Sequence, residues 1–306
     1  MKRVFLLILF ILIFSSAAHA DDSGTEAKDS VLLNSGYEMP LRGIDFSSLT
    51  PVQAENAVYL ALKQGFRLID TAGSHGNEEA VGRAIQKAIE EKIVSREEIF
   101  VTAAIWLEIP ETEEENWDEA GDAAVQQSLE TLGLEYIDLM ILNQSRYDAD
   151  IAAYQAMERA VDKGLIRSIG LSGFSESRNF DLILGQITTT PAVLQIETHP
   201  YRQNLEMKEH LAQYGTVLEA KDPLGDKDDR AVLFADPAVS VLATWHQKTS
   251  DQIVLRWHLQ SGNIAIPSAA DEARLEEYFN ITDFELDNRG MEEINALDRT
   301  LSYVYY

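Results

Sequence analysis

Phe66-Arg67-Leu68-Ile69-Asp70, then EEAVGRAIQKAIEE over Glu78–Glu91, then Phe100-Val101-Thr102-Ala103-Ala104-Ile105: the reading of this stretch decides the fold. The outer pieces are apolar runs of strand length, and the middle piece repeats its Ala, Val and Ile residues at helical spacing. The same alternation extends in both directions. Strand candidates at Gly43–Phe46, Ile137–Leu142, Ser168–Ser172, Val193–Thr198, Val217–Ala220 and Ile264–Pro267 bring the total to eight. Between them Pro51–Gln64, Glu119–Thr131, Ile151–Asp162 and Asp251–Leu259 have helical periodicity, several headed by Thr, Ser or Asp at cap positions. Strand followed by helix, eight times over, predicts an α/β fold of one kind, the parallel (β/α)8 TIM barrel. Val31–Leu33 and Tyr37–Leu41 around Asn34-Ser35-Gly36 predict an N-terminal β-hairpin closing the bottom of that barrel. Charge clusters at Glu111–Glu115 and Asp226–Arg230 are expected in loops, and no linker interrupts residues 30–306, which read as one domain.

The 306 residues include no cysteine, and 25 Lys+Arg against 51 Asp+Glu give a formal charge of −26. So acidic a chain is no nucleic-acid binder by bulk electrostatics. With 45% apolar and 25% charged residues it lies within globular norms. Residues 1–20 read as a cleavable signal peptide: basic Lys2-Arg3, the apolar run Val4–Phe14, and small residues ending in Ala18-His19-Ala20. The apolar run is shorter than the ~20 residues that span a bilayer, so no membrane anchor is expected after cleavage. The protein is therefore expected to be exported, periplasmic or secreted, which the absence of cysteine fits. Lys2-Arg3 loosely resembles a twin-arginine signal, whereas the very apolar core favours the ordinary unfolded route. Residues 21–29 form a flexible acidic leader.

In a barrel of this kind functional residues stand where strands end. Those ends offer Asp45, Asp70, Ala104 with Trp106, Asn143, Ser172-Gly173, Gln195 with Glu197 and His199, Lys221-Asp222, and Ser268. Neither a metal-ligand triad nor a phosphate-loop spacing is present, so no metal is expected.

The chain resembles the aldo-keto reductase family over nearly its whole length after residue 30. The resemblance rests on Leu33–Leu41, Arg67-Leu68-Ile69-Asp70-Thr71-Ala72 with Gly76-Asn77-Glu78-Glu79, and Ser128-Leu129 through Leu132–Leu139. It continues through Lys163–Ser172, Gln195-Ile196-Glu197-Thr198-His199-Pro200-Tyr201, Leu255-Arg256-Trp257 and Asp283-Phe284-Glu285-Leu286. It implies the barrel fold and reduction of aldehydes and ketones by hydride from NADP(H), with a Tyr as proton donor assisted by Asp, Lys and His. The Asp position is Asp70; the Tyr, Lys and His positions are His75, Ala104 and Asn143.

Without the Lys, nothing at Ala104 lowers the pKa of a proton donor. An imidazole with an ordinary pKa of ~6.5 is an acid itself, but His75 is shorter than a tyrosine. The cofactor positions implied by the resemblance are Ser172, Gln195, Lys221, Ser268, Arg274 and Glu277. Lys221-Asp222 replaces the aromatic and Ser that stack the nicotinamide and touch phosphate, while Ser268-Ala269 replaces the Lys-Ser that reads the 2′-phosphate. Gly173 and Tyr278 each stand for an Asn.

The leading expectation is an exported aldo-keto-reductase-like barrel that has lost efficient hydride transfer, binds NADP(H) weakly or not at all, and holds a small-molecule ligand or partner at its mouth. The alternative is an active NADPH-dependent aldehyde or ketone oxidoreductase with His75 as proton donor. A third reading is non-redox acid/base chemistry by Asp70 with His75, or an imine at Lys221; against the imine stands the reading that Lys221 neutralises Asp70 in place of the lost Lys. Asn143-Gln144-Ser145 and Asn280-Ile281-Thr282 are formal glycosylation sequons.

Overall fold

The computed structural model describes residues 29–107 and 116–299, and for His75 and residues 227–229 the backbone only. The expected signal peptide, most of the acidic leader and the Glu111–Glu115 cluster lie outside the described residues. The hairpin comes first, with β1 (Ser30–Leu32) antiparallel to β2 (Glu38–Pro40) and Val31 opposite Met39. Strand and helix then alternate: β3 (Gly43–Asp45), α1 (Pro51–Gln64), β4 (Leu68–Ala72), α2 (Glu78–Glu90), β5 (Phe100–Ile105), α3 (Trp117–Leu132), β6 (Ile137–Asn143) and α4 (Tyr147–Asp162). The second half continues with β7 (Ile166–Ser172), α5 (Ser177–Leu184), β8 (Val193–Glu197), α6 (Leu205–Ala212), β9 (Val217–Lys221), α7 (Lys227–Ala235), α8 (Pro237–His246), α9 (Ser250–Gln260), β10 (Ile264–Ala265), α10 (Glu272–Phe279) and α11 (Asn288–Asn295).

Strands β3 to β10 form one eight-stranded parallel sheet in chain order. One row of its register runs Asp45, Asp70, Thr102, Leu139, Ser168. The sheet closes into a barrel at a thin seam made by the single parallel bridges Arg42↔Ala265 and Asp45↔Ser268. Two backbone bonds support it, Ala265 N–H to Leu41 O at 2.9 Å and Asp45 N–H to Pro267 O at 3.1 Å. Ile44, Leu68, Val101, Leu139 and Leu194 are wholly buried in this frame. Each contributes roughly 1.5–3 kcal/mol by leaving water.

Local chemistry explains the element ends. Thr50 and Gln53 form a reciprocal capping box that starts α1, and Gly65 at φ 115 ends it in the left-handed region. Gly82 lets α2 approach α3 so closely that a Cβ there would run into the backbone carbonyl of Leu132. The Asp226–Arg230 cluster is not a loop as expected. The carbonyl of Asp226 accepts the N–H of Arg230 at 2.9 Å, and most of the cluster forms the first turn of α7. Among the described residues no helix is long and apolar enough to cross a membrane.

Candidate functional site

The upper barrel interior gathers carboxyl groups around one amide. β4 holds Asp70 inside the barrel at 5% exposure, level with Asp45 on β3. From β8, the Gln195 Nε2 donates to Asp70 Oδ2 at 3.2 Å and to Glu219 Oε2 at 3.1 Å. The Ser172 hydroxyl on β7 donates to Gln195 Oε1 at 3.4 Å. Glu219 on β9 is wholly buried, and its Oε1 has no partner among the described residues. Lys221 follows two residues later on the same strand face. Among the described residues it makes no ion pair within 4.0 Å, so it acts on Asp70, Glu219 and Asp222 through space.

Burial dominates the electrostatics. It pushes Asp70 well above the usual carboxylate range, helped by the charges of Asp45 and Glu219 and opposed by Lys221 and the Gln195 hydrogen bond. Glu219 is pushed up to about 7 for the same first reason. Asp222, a non-glycine residue at φ 47, is raised as well, by burial and against the pull of Lys221.

The other expected positions surround this cluster unevenly. Ala104 lies on β5 opposite Ala72 and supplies no charge. Asn143 ends β6, half-buried, in register with Ser172. His75 closes a short 3-10 turn, Gly73–His75, and its side chain lies outside the described residues. The structure thus joins Asp70, Gln195 and Ser172 into one network. Glu219, which sequence reasoning missed, is the member that completes it.

The remaining cofactor positions are engaged with neighbours. Arg274 Nη1 donates to Asp251 Oδ1 at 3.2 Å and to Glu277 Oε2 at 2.9 Å. Asp251 also pairs with Arg230 and accepts the Tyr278 hydroxyl at 3.1 Å, while Tyr278 itself is buried. The Ser268 and Ser48 hydroxyls bond each other at 3.2 Å. The Lys221-Asp222-Pro223-Leu224 loop is fixed from below by His258, whose Nε2 bonds the Pro223 carbonyl at 2.8 Å while Asn263 Nδ2 meets Nδ1 at 3.1 Å. Burial pushes His258 down to about 3, so the ring is neutral, and Nε2 donates while Nδ1 accepts.

Two cavities matter. One of about 620 Å³ lies at the opposite end of the barrel, between the hairpin and the strand beginnings, with Tyr37, Tyr136, Arg167 and Tyr214 in its wall. The other, of about 480 Å³, opens beside β5 between α2 and α3, where Gly73, Ala104, Trp106, Glu78 and Ser128 meet. Glu78 is nearly buried there and accepts the Ser128 hydroxyl at 2.8 Å. Burial raises it to about 7 against that bond. Among the described residues no group of His, Cys, Asp and Glu is arranged to hold a metal ion.

With this geometry in place, comparison with known proteins gives a consistent result. Residues 42–299 match the family model described as Aldo/keto reductase family. The chain is 33% identical over 302 residues to aldo-keto reductase family 1 member A1 of Rattus norvegicus, covering 90% of this chain and 91% of the relative. Among solved structures it is similar to an aldo-keto reductase from a Medee basin deep-sea metagenome library, with TM-score 0.79, 34% identity, and 88% and 95% of the two chains covered. It is also similar to a Bombyx mori aldo-keto reductase in complex with NADP, with TM-score 0.78, 28% identity, and 88% and 92% covered.

Proposed function

Since this chain belongs to the aldo/keto reductase family and has the fold of its NADP-dependent oxidoreductases, we propose that it is a member in which carbonyl reduction has been dismantled and whose barrel mouth now binds a small ligand. One observation carries the reading: Asp70 is buried with Asp45 and Glu219 beside it, and Ala104 stands where a cation would hold it charged. A carboxyl pushed upward by burial among other carboxyls gives weaker support to the ionisation of a neighbouring proton donor. Losing a positioned acid and its charge partner forfeits about 10²–10⁴-fold in rate, and oriented electrostatic stabilisation besides.

The residues at the cofactor positions do not fit a nicotinamide dinucleotide. The Gln195 amide nitrogen that would meet a carboxamide is spent on two carboxyls of its own barrel. Asp222, exposed in the loop after β9, places a carboxyl where a pyrophosphate would approach. Arg274 is neutralised by Asp251 and Glu277. Action outside the cytoplasm, after removal of residues 1–20, belongs to the same reading, since reduced nicotinamide cofactor is scarce there.

The test is to titrate the purified protein with NADH and NADPH, following Trp fluorescence, with an intact family reductase as positive control. No binding up to millimolar cofactor is the expected result. Micromolar binding together with aldehyde turnover would overturn the reading, and turnover without cofactor would replace ligand binding by acid/base catalysis.

A further inference from the structure

Three small residues near the catalytic positions, Gly73, Gly76 and Ala104, are in the wall of the cavity at β5. Glu78 projects into the same space. One of its oxygens, Oε1, is taken by the Ser128 hydroxyl, and the other, Oε2, lies against Gly73, 3.2 Å from where a Cβ at that residue would stand. The neighbouring Glu79 is exposed and paired with Arg83, which also binds Glu55. Among the described residues Glu78 is thus the cavity carboxyl without a cation, and none of those lining the cavity is Lys or Arg. Trp106 supplies a half-exposed aromatic wall, and Ala104, Ile105 and Ala124 supply apolar surface.

A nearly buried carboxylate with one satisfied oxygen is costly to hold charged, and a cation brought to the other oxygen removes that cost. An aromatic face attracts the same sign of charge. The protein's net charge of −26 raises the concentration of small cations at its surface. The volume, about 480 Å³, lies in the range of small-molecule sites.

We propose that this cavity is the seat of the ligand and that the ligand is a small primary ammonium ion, its nitrogen at Glu78 Oε2 and its carbon chain along Trp106 and Ala104. The assignment rests on the preceding reading, that the protein binds a small ligand rather than reduces one, and it moves that ligand from the Asp70 cluster to the cavity beside β5.

The experiment is calorimetric titration of the purified protein at pH 8 and constant ionic strength with n-butylammonium, using 1-butanol and butyrate as neutral and anionic counterparts of equal length. Butylammonium is expected to bind at millimolar concentration or below, butanol at least tenfold more weakly, and butyrate not at all. Glu78→Gln keeps the Ser128 contact and should lose at least tenfold in butylammonium affinity. Ala104→Lys, which adds bulk and like charge at the cavity wall, should lose as much. Equal affinity for butanol and butylammonium, or both variants within twofold of the parent, would overturn the proposal. The cofactor titration fails or succeeds separately: a protein that ignores NADPH and butylammonium alike overturns the ligand class alone, whereas micromolar NADPH binding with turnover overturns the reading beneath it.

Discussion

Asp138 and Asp70 are the same residue type at nearly the same depth, 2% and 5% exposed, at opposite ends of one barrel. At the base, Asp138 accepts from Arg96 at 2.8 Å, from Arg167 at 2.9 Å and from the Val101 N–H at 3.0 Å. Both guanidinium groups stack on the Tyr136 ring, at 3.9 and 3.8 Å. At the mouth, Asp70 receives one amide hydrogen bond and faces two further carboxyls. A buried carboxylate needs cations and N–H groups in proportion to the water it gives up. The base provides two guanidinium groups and an N–H for one carboxyl; the mouth sets one amide and the more distant Lys221 against three, and burial pushes Asp70 and Glu219 up.

The largest effect expected from breaking this contrast is at the base. Asp138→Ala leaves two stacked guanidinium groups without their anion, and urea denaturation should show a loss of about 3–5 kcal/mol. Next comes pH. Glu219 sits at about 7 in the fold against an ordinary 4.5, so between those values the folded protein keeps a proton that the unfolded chain has released. Stability therefore falls as pH rises from about 4.5 to about 7 and levels above, and Asp70 acts in the same direction. Denaturation at pH 5 and pH 8 should differ by on the order of 2–3 kcal/mol from one such carboxyl, and Glu219→Gln should flatten the curve. In the uncharged frame, Thr50→Ala removes the cap of α1 and should cost about 1 kcal/mol, read as a fall in denaturation midpoint with unchanged slope. The smallest effect is expected for Asp70→Asn, a neutral isostere that keeps an oxygen for the Gln195 amide and relieves the crowding with Asp45 and Glu219: stability at pH 6 should stay within about 1 kcal/mol of the parent.

Much of the frame was legible in the sequence because its signals are periodic or chemical. Pro51–Gln64 is predicted to the residue, since Thr50, Gln53 and Gly65 mark both ends. Strand boundaries shift by up to two residues, as at β4, which runs on to Ala72, because apolar runs do not show where pairing stops. Helices α5, α6, α10 and α11 span eight residues each, too short for a periodicity to stand out. At the site, Asp70, Gln195 and Ser172 are legible as strand ends. Glu219 was missed although alternation along Val217–Lys221 puts it on the same face as Lys221. Glu78 was absorbed into a family motif, and only the packing of α2 on α3 reveals that it is nearly buried beside a cavity.

The seam between β3 and β10 has a kinetic consequence. Its two bridges join residues 42 and 45 to residues 265 and 268, so the first barrel strand waits for the last before it can close. Contacts of such sequence separation form late, after the loop entropy has been offset by the intervening strands. With only single bridges to lose, the same seam is where amide hydrogens should exchange first, so the barrel opens along the line where its first and last strands meet.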